Sequence, residues 1–140
     1  MLAKTLIGIV ISAFFIAGSA FARTPSPEGA QVYIISPADG EVLNSPVTVR
    51  FGLKGMGVAP AGIDKPNTGH HHMLIDVQDR PATDKPLPAD AKHKHFGGGQ
   101  TEVTIELSPG KHTLQLIMGD KNHIPHYHLV ISDKITNTVN

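Results

Sequence analysis

Along most of this chain apolar and polar residues alternate with the period of a strand. Val47, Val49 and Phe51 alternate with Thr48, Arg50 and Gly52, and Thr101, Val103, Ile105 and Leu107 alternate with Glu102, Thr104 and Glu106. His112, Leu114, Leu116 and Met118 alternate with Lys111, Thr113, Gln115 and Ile117. A period of two puts each set on one face of a half-buried strand. Residues 32–35 form a further short strand, closed by the turn signal Ser36-Pro37-Ala38-Asp39-Gly40. Residues 70–77 run into a continuous apolar stretch that reads as a buried strand. Residues 93–96 are a short strand ending at Gly97-Gly98-Gly99, and residues 129–139 supply the last one through Ile131, Ile135 and Val139.

Seven short strands, separated by turns and carrying no helical period, predict an all-β fold: an immunoglobulin-like antiparallel β-sandwich. Two stretches resist assignment. Residues 53–69 are rich in Gly and Pro and have no period, and a loop of that length in a compact domain is usually functional or disordered. Residues 79–92 carry Pro81, Pro86 and Pro88 and are irregular.

The first residues belong to another class of segment. Lys4 precedes an apolar run over residues 6–17, and Ala20-Phe21-Ala22 fits an A-x-A cleavage signal. At 12 residues the run is short of the roughly 20 that a spanning helix needs. The expected organisation is a signal peptide over 1–22, a flexible leader over 23–30 and one β-sandwich domain over 31–140, exported to the periplasm or secreted. No membrane span is expected after cleavage. The chain has no cysteine, so neither disulfides nor thiolate ligands are available. Twelve basic residues balance twelve acidic ones, and nothing resembles the basic patch that nucleic acid would need.

What remains unusual is histidine, nine in all. In an extended strand His70 and His72 share a face roughly 7 Å apart, close enough for both rings to tilt onto one ion. His93 and His95 repeat the spacing, and His123, His126 and His128 follow in the loop before the last strand. Strand direction in such a sandwich returns all of these to one end and leaves His112 at the other. His70, His72, His95, His123 and His126 are therefore the expected metal ligands, with copper or zinc as the ion, since both suit imidazole nitrogen. Asp76 and Asp120 are candidates to orient a ring through its second nitrogen. Gly97 to Gly99 would let backbone approach the site closely.

The other histidines read differently. His71 points to the opposite face with Met73 and is expected to be structural. His93, between Lys92 and Lys94, is expected in solvated loop, His112 in a packed or turn-bonding role, and His128 at the start of the last strand. Met56, Met73 and Met118 are expected as core filler. Catalysis finds no motif: there is no cysteine nucleophile, no Gly-x-Ser-x-Gly elbow and no phosphate loop at the triple glycine. Copper chemistry through an N-terminal histidine is excluded by Arg23. The composition thus favours a non-enzymatic periplasmic metal-binding protein, a buffer or chaperone. The alternatives are a metal-dependent enzyme with an open coordination position and an envelope interaction module that binds no metal.

Four segments carry a family resemblance: Pro-Asn-Thr-Gly-His-His-His (66–72), His-Phe-Gly-Gly-Gly-Gln-Thr-Glu (95–102), Pro-Gly-Lys-His-Thr-Leu-Gln-Leu (109–116) and Gly-Asp-Lys-Asn-His-Ile-Pro-His (119–126). Over residues 31–139 the chain resembles the exported single-domain bacterial proteins of domain of unknown function 4399. The resemblance implies an exported single domain and carries no activity with it.

Overall fold

The structure is a computed structural model and describes residues 22–140, so the expected signal peptide lies almost wholly outside the described residues. Among these residues there are nine strands and no helix: β1 (Gln31–Ser36), β2 (Val42–Leu43), β3 (Val47–Lys54), β4 (Gly57–Val58), β5 (Thr68–Ile75), β6 (His93–His95), β7 (Glu102–Ile105), β8 (Gly110–Gly119) and β9 (Ile135–Val139). No helix here is long and apolar enough to cross a membrane. One sheet has the order β1-β3-β7; the other runs β2-β9-β8-β5-β4, with β6 pairing along β5. Pairing is antiparallel except for β2 with β9 and β4 with β5.

The inward row of each strand is the apolar row of the sequence. Val32, Val47, Val49, Phe51 and Ile105 from the smaller sheet meet Met73, Ile75, Leu114, Leu116, Met118 and Val139 from the larger one in a single buried cluster. The arrangement is sandwich-like. Each of the seven expected strands has a counterpart, and β2 and β4 are additions of two residues, too short for any period to reveal. The last strand begins at Ile135 rather than at 129. Before it, Val130 turns into the core while Ile131 turns outward, with Met118 N donating to Val130 O and Ser132 N donating to Leu116 O.

The larger sheet also has a covered outer face, and this shapes everything that follows. Outward-facing Leu74 and Ile117 pack against Leu87, with Val77, Leu129 and Ile131 around them. Leu87 belongs to the proline-rich stretch 79–92, and its amide donates to His123 O. The stretch 79–92 is therefore a lid rather than a spacer. As a result β5 is buried from Gly69 through Ile75 on both of its faces.

Residues 23–29, expected as a flexible leader, instead lie along the loop after β8. Pro25 and Tyr127 form an isolated parallel bridge, Tyr127 N donates to Thr24 O at 2.9 Å and Ser26 N donates to Tyr127 O at 2.6 Å. Backbone pairing of this kind satisfies groups that an unattached leader would leave to water.

Leu116 is fully enclosed between the sheets. Leu116→Ala is expected to lower unfolding free energy by about 2–5 kcal/mol, the range for an unfilled core cavity, as a fall in the urea midpoint.

Candidate metal centre

Strand register assembles the first part of the site. On β5, His71, Met73 and Ile75 face the core, so His70, His72 and Leu74 face outward under the lids. His72 lies opposite His95 of β6 on one side and Ile117 of β8 on the other, and His70 lies opposite Gly119. Directly opposed residues share a face, so His95 joins His72. The glycines make the room. A Cβ on Gly119 would stand 2.8 Å from His72 Nε2, and one on Gly97 would stand 2.5 Å from His95 Nε2. Gly97 was expected to allow close approach; Gly119 was not singled out, although its place opposite His70 in the ladder is the signal for it.

The second part is a turn. Asp120 N donates to Ile124 O at 2.9 Å and His123 N donates to Asp120 O at 2.8 Å, while Gly119 bridges Pro125. This is a three-residue hairpin connection whose last turn position is left-handed, a place glycine usually fills. Here His123 fills it, at φ +64°. The Asp120 carboxylate holds the turn from within: Oδ1 accepts from Asn122 N at 2.8 Å and from Ile124 N at 3.0 Å.

Together these elements bring four imidazoles into one group. The ring centroids of His70, His72, His95 and His123 are 4.4–5.7 Å apart in all pairings. His70 Nε2 is 2.9 Å from His72 Nε2 and 3.0 Å from His123 Nδ1. Two nitrogens each about 2 Å from one ion, at angles from square to tetrahedral, are separated by about 2.8–3.4 Å. The three side chains thus already hold nitrogens at ligand spacing, all within 4.8 Å of one another. His95 lies alongside on the solvent side and is exposed, whereas His70 and His72 are 0% and 2% exposed.

Burial favours the neutral form of His70, His72 and His123. Burial pushes His72 down to about 2, helped by neighbouring His70, His95 and His123. His70 is pushed down to about 4 by burial and then by His123 and His95, against the pull of Asp120. His123 is lowered by burial and by His95, again opposed by Asp120. Neutral imidazoles with their lone pairs available are the form a metal requires. The Nδ1 atoms of His70 and His72 are buried without a protein hydrogen-bond partner.

Several expected roles are corrected. His126 does not join the four rings: it packs against Gly69, and its Nε2 donates to Thr68 O at 3.2 Å. Asp120 orients backbone amides, not an imidazole. Asp76 does orient a ring, but that of His112, whose Nδ1 donates to Asp76 Oδ2 at 2.8 Å while its Nε2 donates to Ser108 O. His71, expected on the Met73 face, packs on Phe51 in the core, while of the histidines not expected as ligands His93 Nδ1 pairs with Asp90 and the exposed His128 stacks on Tyr127. Alternation assigns faces, and strand direction alone does not.

Two outcomes follow from this geometry. His70, His71, His72 and His123 all titrate below the ordinary 6.5 when folded. Their contribution is whole above that value and is lost as pH falls toward about 4, because the unfolded chain then binds more protons. His112, raised chiefly by its bond to Asp76, acts oppositely: its contribution is whole below about 6.5 and fades as pH rises through its folded value. Urea midpoints of metal-free protein should therefore fall steadily from pH 6.5 to 4, and His112→Gln should not abolish that fall. His123→Gly relieves a left-handed side chain, worth about 1–2 kcal/mol, which offsets the lost ring contacts. Its urea midpoint should stay level or rise even though a nitrogen of the cluster is gone.

No curated protein and no solved structure matches this chain. A family model does, over residues 49–140, which takes in β5 to β9 and every imidazole of the cluster. This chain belongs to the family described as Domain of unknown function (DUF4399).

Proposed function

We propose that this protein is an exported, periplasmic module that binds one divalent transition-metal ion, copper or zinc, without catalysing a reaction, as a buffer or chaperone. His70, His72 and His123 are the proposed ligands from within. His95 is the proposed fourth, and a turn of its ring would aim a nitrogen at the point the others share. Its strand order, β1-β3-β7 facing β9-β8-β5, is the order expected of an immunoglobulin-like sandwich, which is the fold we infer.

The observation that carries the reading is the meeting of three imidazole nitrogens, from a strand and a distant turn, at 2.9 Å and 3.0 Å inside a buried, neutral pocket. A cation facing the shared nitrogens, His70 Nε2, His72 Nε2 and His123 Nδ1, would be held by all three at once. The donor set fits a borderline ion: it is all imidazole, and the thioethers of Met73 and Met118 lie in the core on the other side of the sheet. Asp120, almost fully buried beside the rings, supplies compensating negative charge. Exposure of His95 favours a second reading, a metal-dependent enzyme with an exchangeable position on the solvent side.

Untagged protein should bind one equivalent of copper(II) or zinc by calorimetry and carry it through gel filtration. His70→Ala/His72→Ala should lose this binding, by more than the roughly 10- to 100-fold that loss of an outer partner costs. Its far-ultraviolet circular dichroism should be unchanged. Equal affinity in the double variant would refute the site. Under the second reading the bound ion would also retain a rapidly exchanging water, detectable by relaxation of solvent protons.

A further inference from the structure

The arm formed by residues 23–26 does more than cover the surface. Every one of its polar side chains bonds to the loop that contains the His123 turn. Arg23 donates through Nε to Pro125 O at 3.1 Å and through its guanidinium to His126 O, and its charge lies over the Tyr127 ring. Ser26 Oγ donates to His128 O at 2.8 Å. Thr24 reaches deepest: its hydroxyl donates at 2.7 Å to Asp120 Oδ2. That leaves Asp120 Oδ1 for the amides of Asn122 and Ile124, which flank His123.

The order of these contacts is a chain of positioning. His123 sits in a conformation that a side chain disfavours, and such a conformation persists only where surrounding bonds over-determine it. The Asp120 carboxylate provides two of those bonds, and its own rotamer is fixed from the far side by Thr24. Within the turn, the amides of Asn122 and Ile124 are spent on the other oxygen and that of His123 on the Asp120 carbonyl.

We propose that Thr24 is a positioning residue for the metal centre: through Asp120 it holds His123 at the angle from which Nδ1 meets His70 Nε2. The inference rests on the metal-binding reading above. It makes the arm and the ion linked ligands of the same loop. If the docked arm raises the affinity for the ion by some factor, the ion must tighten arm docking by that factor.

The test uses Thr24→Val, which keeps the shape and removes the donor, and Thr24→Ser, which restores the donor. Zinc affinity, measured by competition with a chromophoric chelator, should fall about 10- to 100-fold in Thr24→Val, the usual cost of an outer partner, and recover in Thr24→Ser. The visible spectrum of the cobalt(II)-substituted protein should change in Thr24→Val and match the parent in Thr24→Ser, a response that mere destabilisation would not produce. In the parent, zinc should slow exchange of the Ser26 and Tyr127 amides that join arm to loop. Parent-like affinity and spectrum in Thr24→Val would overturn the proposal while leaving the metal site standing. If the parent itself takes up no zinc, copper or cobalt, the metal reading fails and the proposal with it.

Discussion

The organisation of this protein depends on burying β5 from both sides. One face closes the core between the two sheets, with His71, Met73 and Ile75 in it. The other is sealed by loops, because Leu74 and Ile117 present apolar surface that water would otherwise wet, at roughly 25 cal/mol for each Å². Leu87, Leu129 and Ile131 provide that cover, and in doing so they exclude water from the stretch of strand beside Leu74. There stand His70 and His72. The hydrophobic seal and the polar cluster are thus consequences of one packing event: the same lids that stabilise the sheet desolvate the imidazoles.

The two ends of β5 use histidine in opposite ways. Where it ends, Asp76 accepts from His112 Nδ1 and Ser108 O from its Nε2, so the imidazole there has an acceptor for each nitrogen and favours the charged form. Where it begins, four rings have mainly each other, and burial favours the neutral form of His70, His72 and His123. The chemical difference lies in the company: carboxylate and carbonyl oxygens in one place, lone pairs and apolar lids in the other. Local rules that hold through the rest of the sandwich lapse around the second group, where a histidine takes a glycine's conformation and buried Nδ1 atoms go unbonded. Such lapses concentrate where a protein does something other than fold.

Much of this was legible in the residues. Alternation marked the strands over 47–52, 101–107 and 111–118 and placed Val47, Val49, Phe51, Leu114, Leu116 and Met118 inward, because a period of two maps directly onto faces. The same rule paired His70 with His72 and set His71 apart. What it could not supply was anything set by covering loops. Residues 79–92 have no period, and their contribution, Leu87, is one apolar side chain between two prolines. Residues 23–29 looked like a leader because proline and glycine dominate them, yet the backbone of that segment pairs with the loop it passes. His126 was expected at the site because strand direction returns its loop to that end, but a place in a loop does not fix a side chain's direction, and the Thr68 carbonyl claims its ring. Asp76 was placed correctly as a ring partner and given the wrong ring, since the far end of β8 comes beside it only in three dimensions.

The edge beyond β5 has a further consequence. β6 is three residues long, and Lys94, opposite Met73, is directed toward the interior side of the sandwich between two outward histidines. An inward charge on a brief border strand denies a neighbouring molecule the flat ladder it would need to add on. Accessible imidazoles would otherwise, on the proposed metal-binding reading, allow one ion to be shared by two chains. The border that carries His95 is thereby made a poor template for strand addition by a second copy.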